Sequence, residues 1–129
     1  MNKLYDLEKC FEYENGFYAT ADPSRFSKFV SHLEFFKRTS NIRGEILEFG
    51  IFKGNSFFRW IKFRDLLEQT SSRKIIGFDI FGDFPEANFE EDKLKRDAFV
   101  KETNGGKSIT YDEITELLKK QNLQKNVEI

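Results

Sequence analysis

Two short segments of the sequence carry residue types that could bind a small charged ligand. The first reads Glu48-Phe49-Gly50-Ile51-Phe52-Lys53-Gly54-Asn55-Ser56, with the pattern E-x-G-x-x-x-G-x-S. Glycines at 50 and 54 let a ligand approach the backbone closely. A helix beginning near Asn55 would direct free N–H groups at a carboxylate or a phosphate. The Ser56 hydroxyl can add a donor, and the Glu48 carboxylate can accept from an ammonium or a hydroxyl.

The second segment reads Gly77-Phe78-Asp79-Ile80-Phe81-Gly82-Asp83-Phe84-Pro85 and follows a short apolar run. An acidic side chain at the tip of a parallel strand, such as Asp79, can accept two hydrogen bonds from a ribose diol. Open α/β sheets bind ligands in the crevice outside the carboxyl ends of their strands. The two segments together therefore predict a site for a nucleoside-type cofactor with an anionic tail.

Several other kinds of site are disfavoured by the residue pattern. The dinucleotide fingerprint G-x-G-x-x-G needs a glycine at position 52, where this chain has Phe52, so a nucleotide-linked oxidoreductase is disfavoured. A P-loop is absent, and one His with one Cys cannot assemble the usual zinc ligands. The acids around residues 83–92 lack the spacing of a calcium loop and fit a solvated helix face.

Each of the singled-out residues also has a purely structural interpretation. Gly50 and Gly54 could form a tight turn without a ligand, and Asp79 could be a helix cap or a solvated loop acid. Glu48 could be a buried acid bonded to backbone N–H groups, and Ser56 a plain helix cap. These alternatives stay open at the level of the sequence.

The elements that must position these residues follow from apolar periodicity and turn signals. Asp22-Pro23 predicts a helix start, Thr110 with Glu113 matches a capping box, and Asn15-Gly16 predicts a turn within an irregular or briefly helical first 20 residues. Two apolar strands separated by one helix form a βαβ unit, whose strands are parallel. The predicted helices are Pro23–Arg38, Asn55–Gln69, Glu86–Glu102 and one from Thr110, and the predicted strands are Glu45–Gly50, Lys74–Asp79 and Val127–Ile129.

Composition bounds the class of protein. A chain of 129 residues suits one domain, which we divide into an N-terminal arm and helix (1–42) and a partial cofactor-binding domain (43–129). A net charge of −1 disfavours nucleic-acid binding, and no apolar stretch approaches the ~20 residues of a membrane helix. The single Cys10 and the lack of a secretory h-region predict a cytoplasmic location.

The first segment resembles motif I of class I S-adenosylmethionine-dependent methyltransferases, including the catechol-type O-methyltransferases. The segment at 77–85 is similar to the G-F-D-x-F-x-G-F-P segment of the macrocin O-methyltransferase family, whose members methylate hydroxyls of deoxysugars. The resemblance covers about 43–85. It implies an α/β fold, the Rossmann-like three-layer sandwich of class I methyltransferases, of which this chain holds the N-terminal part.

The resemblance also implies S-adenosylmethionine as cofactor and a role for each matching residue. Gly50 and Gly54, with Phe52 between them, would line the methionine half of the cofactor, and Ser56 would bind its carboxylate. Glu48 would approach its ammonium, directly or through water. Asp79 would hold the ribose hydroxyls, and Ile80 or Phe81 would pack on the adenine.

The substrate implied by the resemblance is a small hydroxylated molecule, a sugar or a sugar nucleotide. In that family the catalytic base and the metal carboxylates lie after the third strand, where this chain has no matching positions. We therefore assign no catalytic residue, and any Mg²⁺ would be held by residues outside this chain.

The first strand predicts an open edge. In an open sheet of this type the first strand is paired on both sides, and here one side of 45–50 lacks a partner. We expect the chain to be the N-terminal part of a larger domain, with coverage by a second chain, as in a homodimer, or by the N-terminal arm as alternatives. The alternative function is a non-catalytic α/β interaction module that pairs through this edge.

Overall fold

The structure is a computed structural model that describes residues 3–103 and 105–129. A 3₁₀ turn at Leu7–Lys9 precedes the first helix. The helices are α1 (Cys10–Thr20), α2 (Pro23–Arg38), α3 (Asn55–Leu67), α4 (Glu90–Glu102) and α5 (Tyr111–Lys120), and the strands are β1 (Ile46–Phe49), β2 (Ile75–Phe78) and β3 (Val127–Glu128).

The three strands form one parallel sheet in the order β1-β2-β3. Ile46 pairs with Ile75, and Ile75 pairs with Val127 on its other side. The predicted parallel βαβ unit is thereby confirmed. One face of the sheet packs against α3 and α5, which together form the apolar core. The buried members of this core are Ile51, Phe57, Ile61, Ile75, Ile109, Ile114, Leu117 and Leu118.

The helix start at Asp22-Pro23 is confirmed, and the turn at Asn15-Gly16 is wrong. Asp22 Oδ1 accepts from Ser24 N at 2.9 Å, with Pro23 at the first helical position. Asn15 and Gly16 lie inside α1, where the Asn15 side chain donates to Phe11 O rather than starting a turn. A helical glycine costs about 1 kcal/mol relative to alanine, which an otherwise continuous helix tolerates.

The predicted start of α4 is displaced by a contact within the chain. The helix begins at Glu90 instead of Glu86. Arg96, one turn and a half into the helix, donates to the carbonyls of Phe84 and Pro85 at 3.2 Å. These bonds hold the preceding segment beside the helix.

The helix predicted at Asn55–Gln69 ends two residues earlier in the structure, at Leu67.

The other face and the outer edge of the sheet are open within the described residues. Leu47 is 50% exposed, Phe49 76% and Phe78 47%, and the Phe49 and Phe78 rings stack with centroids 5.0 Å apart. Because Ile46 N and Gly50 N donate to β2, the N–H and C=O groups of Leu47 and Phe49 point to the outer edge of β1. In the N-terminal arm, Leu4 and Tyr5 donate to Glu113 of α5 instead of to this edge.

A buried guanidinium ties α3 to the segments that precede β2 and β3. Arg64 is fully buried, and its Nη1 donates to Arg73 O at 3.0 Å and Asn126 O at 2.8 Å. Its Nη2 donates to Lys125 O at 2.8 Å, and its Nε donates to Asp65 at 2.9 Å. One side chain thus donates to three backbone carbonyls, of which Asn126 O also accepts from Ile75 N at 3.1 Å. None of the helices in 3–103 and 105–129 is long and apolar enough to cross a membrane.

We expect Arg64→Ala to lower the free energy of unfolding by roughly 3–5 kcal/mol, because it leaves the carbonyls of Arg73 and Lys125 without the donor that Arg64 supplies and removes a large buried side chain. Urea unfolding followed by circular dichroism measures the change. The exposed Arg43 provides the control as Arg43→Ala, for which a change within about 0.5 kcal/mol is expected. Equal effects of the two substitutions would contradict the role assigned to Arg64.

Candidate functional site

The carboxyl ends of β1 and β2 border an open notch with a cavity volume of about 520 Å³. Four of the eight residues predicted from the sequence line it, namely Gly50, Phe52, Asp79 and Ile80. The remaining lining is mostly apolar and comes from Phe49, Phe78, Gly82, Asp83, Phe84, Pro85, Gly106 and Ser108. The cavity falls within the ~300–1,000 Å³ range of small-molecule sites.

The turn from β1 into α3 needs both of its glycines. Gly50 and Gly54 have φ angles of +91° and +89°, in the left-handed region that side chains disfavour. A Cβ at Gly54 would also lie 2.7 Å from the Phe58 ring. A Cβ at Gly50 would meet no atom within 4 Å, so the backbone there is open to a ligand.

The Asp79 carboxylate binds the backbone of both loops that border the notch. Its Oδ2 accepts from Ile51 N at 2.6 Å and Phe52 N at 2.9 Å, and its Oδ1 accepts from Phe81 N at 2.8 Å. Partial burial by itself would raise the pKa of Asp79, but these N–H donors outweigh it and hold the pKa below its usual value. Two of the donors, Phe52 and Phe81, have φ angles of +53° and +52°.

Glu48 faces α3 and is not among the residues lining the notch. The Ser56 hydroxyl donates to Glu48 Oε1, while Oε2 is buried and has no partner among the described residues. Burial raises the pKa of Glu48, against the opposing effects of the hydrogen bond from Ser56, of the nearby Trp60 indole and of the Arg59 charge. The Ser56 proton is therefore already used within the protein.

The first turn of α3 keeps donors available for an anion. Gly54 N donates to Ile51 O and Phe58 N to Gly54 O, both at 2.9 Å. The helix has no side-chain cap, so the N–H groups of Asn55, Ser56 and Phe57 have no partner within the helix. These groups, more than the Ser56 hydroxyl, can meet a carboxylate.

The structure places Ile80 and Phe81, the two alternatives predicted to pack on adenine, in different surroundings. Ile80 is 73% exposed and lines the notch. Phe81 does not line it, because its ring packs on the core and meets the edge of Tyr111 with centroids 5.6 Å apart.

Sequence reasoning did not single out several of the residues that line the notch. Phe49 and Phe78 adjoin two of the predicted residues, and their position at strand ends was the available signal. Phe84 packs on Phe99 of α4 with ring centroids 4.8 Å apart, a contact that periodicity does not reveal. Ser108, which donates to Gly82 O at 2.7 Å, reaches the notch from a part of the chain without a motif.

The described part of the chain holds no group of three His, Cys, Asp or Glu side chains placed to bind a metal ion. The acids at 83–92 are accordingly spread over a loop and the exposed first turn of α4. A metal held by residues outside this chain stays a prediction.

Comparison with known proteins identifies the fold. No protein-family model and no curated protein sequence matches the chain. The crystal structure of CalS11, a calicheamicin methyltransferase, matches with a TM-score of 0.63 and 18% sequence identity. The match covers 98% of this chain and 51% of that one, so the chain spans about half the length of CalS11. The predicted α/β class is confirmed as part of a Rossmann-like methyltransferase fold.

The burial of Glu48 predicts a pH dependence. Its pKa is raised in the folded protein from 4.5, so ionisation is penalised only after folding. The free energy of unfolding should therefore fall as pH rises from about 4.5 through the higher folded pKa. Glu48→Gln should remove this contribution, so that the variant gains stability relative to the native protein as pH rises above about 4.5.

Urea unfolding at several pH values, followed by circular dichroism, tests this prediction. Glu34→Gln alters an exposed carboxylate on α2 and serves as control. The same pH profile for Glu48→Gln and the native protein would show that Glu48 is not the group responsible.

Proposed function

We propose that the notch binds S-adenosylmethionine and that the chain is an O-methyltransferase, or the cofactor-binding half of one. The observation that carries the proposal is that Asp79 lies at one apolar notch with Gly50 and Phe52, which belong to the turn that leads into the uncapped start of α3. The resemblance of 43–85 to class I methyltransferases and the fold shared with CalS11 support it.

The residues present suit the two ends of this cofactor. Asp79 Oδ1 accepts one N–H and Oδ2 accepts two, so Oδ1 keeps the greater capacity for a ribose hydroxyl. The first N–H groups of α3 suit the carboxylate of the methionine half. Ile80 and the phenyl rings of the notch supply an apolar surface for adenine.

The unpaired Glu48 Oε2 also fits an ammonium-bearing ligand. A buried carboxylate oxygen without a donor is unfavourable, and an ammonium, or a water bound to one, would supply the missing hydrogen bond. Glu48 faces α3 instead of the notch, so this contact requires the side chain to shift or a water to bridge.

S-adenosylmethionine, when bound, supplies a methyl group made electrophilic by its sulfonium. The contribution of this chain is to orient and partly desolvate the cofactor, through the turn at 50–54, Asp79 and the apolar notch. We assign no general base in this chain. The deprotonation of a substrate hydroxyl, and any Mg²⁺ that assists it, would depend on residues outside it.

We propose a small hydroxylated molecule as substrate, a sugar or sugar nucleotide of the deoxysugar class, and a cytoplasmic location. The resemblance of 77–85 to the macrocin O-methyltransferase segment supports the substrate class. CalS11 is described as a calicheamicin methyltransferase.

Binding of S-adenosylhomocysteine, measured by isothermal titration calorimetry, tests the proposed function. Asp79→Asn should weaken binding by roughly tenfold or more, because the amide cannot accept all the hydrogen bonds of the carboxylate. Asp83→Asn is the matched control, since Asp83 lines the same notch and its substitution should leave affinity within about twofold.

Two outcomes would contradict this proposal. The first is the absence of binding heat for the folded native protein at several temperatures. The second is equal loss of affinity in the Asp79 and Asp83 variants, which would indicate a general effect of charge.

The open edge of β1 favours a second candidate function, a non-catalytic module that pairs with a second copy. The unpaired backbone of Leu47 and Phe49 and the exposed Phe78 would be covered by such a partner. Light scattering should then give twice the chain mass, and Phe49→Lys should return the monomer. A monomeric native protein that binds S-adenosylhomocysteine would exclude this candidate.

A further inference from the structure

The N-terminal segment at 3–6 contacts the turn from β1 into α3, although this segment carries no recognised motif. The Tyr5 hydroxyl donates to Lys53 O at 2.9 Å, a contact that joins residues 48 positions apart. The Tyr5 ring is half-buried against the apolar core, which fixes the direction of the hydroxyl. Burial and the nearby Glu113 charge raise the pKa of Tyr5, so the hydroxyl keeps its proton at neutral pH.

The same segment is anchored on α5 by a buried carboxylate. Glu113 Oε1 accepts from Leu4 N at 2.5 Å and Tyr5 N at 3.0 Å, and Glu113 is 7% exposed. The capping box predicted at Thr110 is therefore only half formed. Thr110 Oγ1 accepts from Glu113 N at 3.2 Å, but the Glu113 side chain bonds to the N-terminal segment.

The bond from Tyr5 acts on the peptide unit between Lys53 and the N-cap residue Gly54, just before α3. The carbonyl of Lys53 and the N–H of Gly54 belong to one planar unit, and Gly54 N donates to Ile51 O. Both ends of this unit are therefore held. Its plane sets the direction in which the chain enters the left-handed Gly54 and then the first turn of α3.

Three other bonds restrain the turn, but they act earlier along it. Asp79 accepts from the N–H groups of Ile51 and Phe52, and Ile109 N donates to Phe52 O at 2.8 Å. Tyr5 supplies a side-chain bond to the peptide unit that precedes the N-cap residue Gly54, so the orientation of the α3 donors depends on it.

We propose that Tyr5 is a positioning residue for the cofactor site, because its hydroxyl fixes the Lys53–Gly54 peptide and thereby sets the direction of the first N–H groups of α3, which follow the turn that borders the notch. This inference rests on the proposed function for its ligand. The N-terminal segment, anchored by Glu113, is then part of the site although it does not line the notch.

Tyr5→Phe removes the hydroxyl and keeps the ring, so it tests the bond without opening the core. We expect the dissociation constant for S-adenosylhomocysteine to rise roughly 2- to 10-fold, as for the loss of one hydrogen bond. In the ligand-free protein, amide hydrogen exchange measured by NMR should accelerate at 53–57 and stay unchanged at 75–78. Tyr18→Phe, on the exposed side of α1, is the matched control.

The two readouts separate positioning from general stability and from failure of the proposed function. Unchanged affinity and unchanged exchange at 53–57 in Tyr5→Phe would overturn the inference. So would a uniform acceleration of exchange across the sheet with native affinity, which indicates a purely structural residue. If the native protein binds no S-adenosylhomocysteine, the proposed function fails, and local exchange at 53–57 still decides whether Tyr5 holds the turn.

Discussion

The geometry of the notch depends on the hydrogen bonds that the Asp79 carboxylate accepts from the backbone. Without this carboxylate, the N–H groups of Ile51, Phe52 and Phe81 would lose their acceptor, and two of these residues have positive φ angles that cost about 1–3 kcal/mol each. One side chain thus stabilises strained backbone in two loops that are far apart in sequence. Because the same carboxylate lies at the notch, its structural role and its proposed role in ligand binding would compete for the same lone pairs.

The architecture could be predicted from the sequence wherever local signals and burial agree. Asp22-Pro23 supplies a cap and a first helical residue within three positions, and the apolar runs at 46–49 and 75–78 have no helical period. The parallel pairing follows from the helix between those runs. By contrast, Asn15-Gly16 is a turn signal only when nothing else holds the backbone, and a continuous α1 overrides it.

The site was predictable in part, since sequence places residues on strand ends but does not show which side chains bond to each other. Strand alternation puts Glu48 on the α3 face of the sheet and Phe49 on the open face. The Glu48 carboxylate therefore accepts a hydrogen bond from Ser56, and the Phe49 ring borders the notch. Phe81 is directed to the core by its left-handed backbone. The bonds from Glu113 and Tyr5 join positions about 50 to 110 residues apart, which no local pattern encodes.

The buried Arg64 has a consequence for how the chain acquires its structure during synthesis. Its guanidinium donates to the carbonyls of Lys125 and Asn126, which lie more than 60 residues further along the chain. Until those residues have left the ribosome, α3 cannot bury this charge with its hydrogen bonds complete. The core can therefore form with this charge fully hydrogen-bonded only after synthesis has passed Asn126, and the shortest segment able to form it extends at least to that residue.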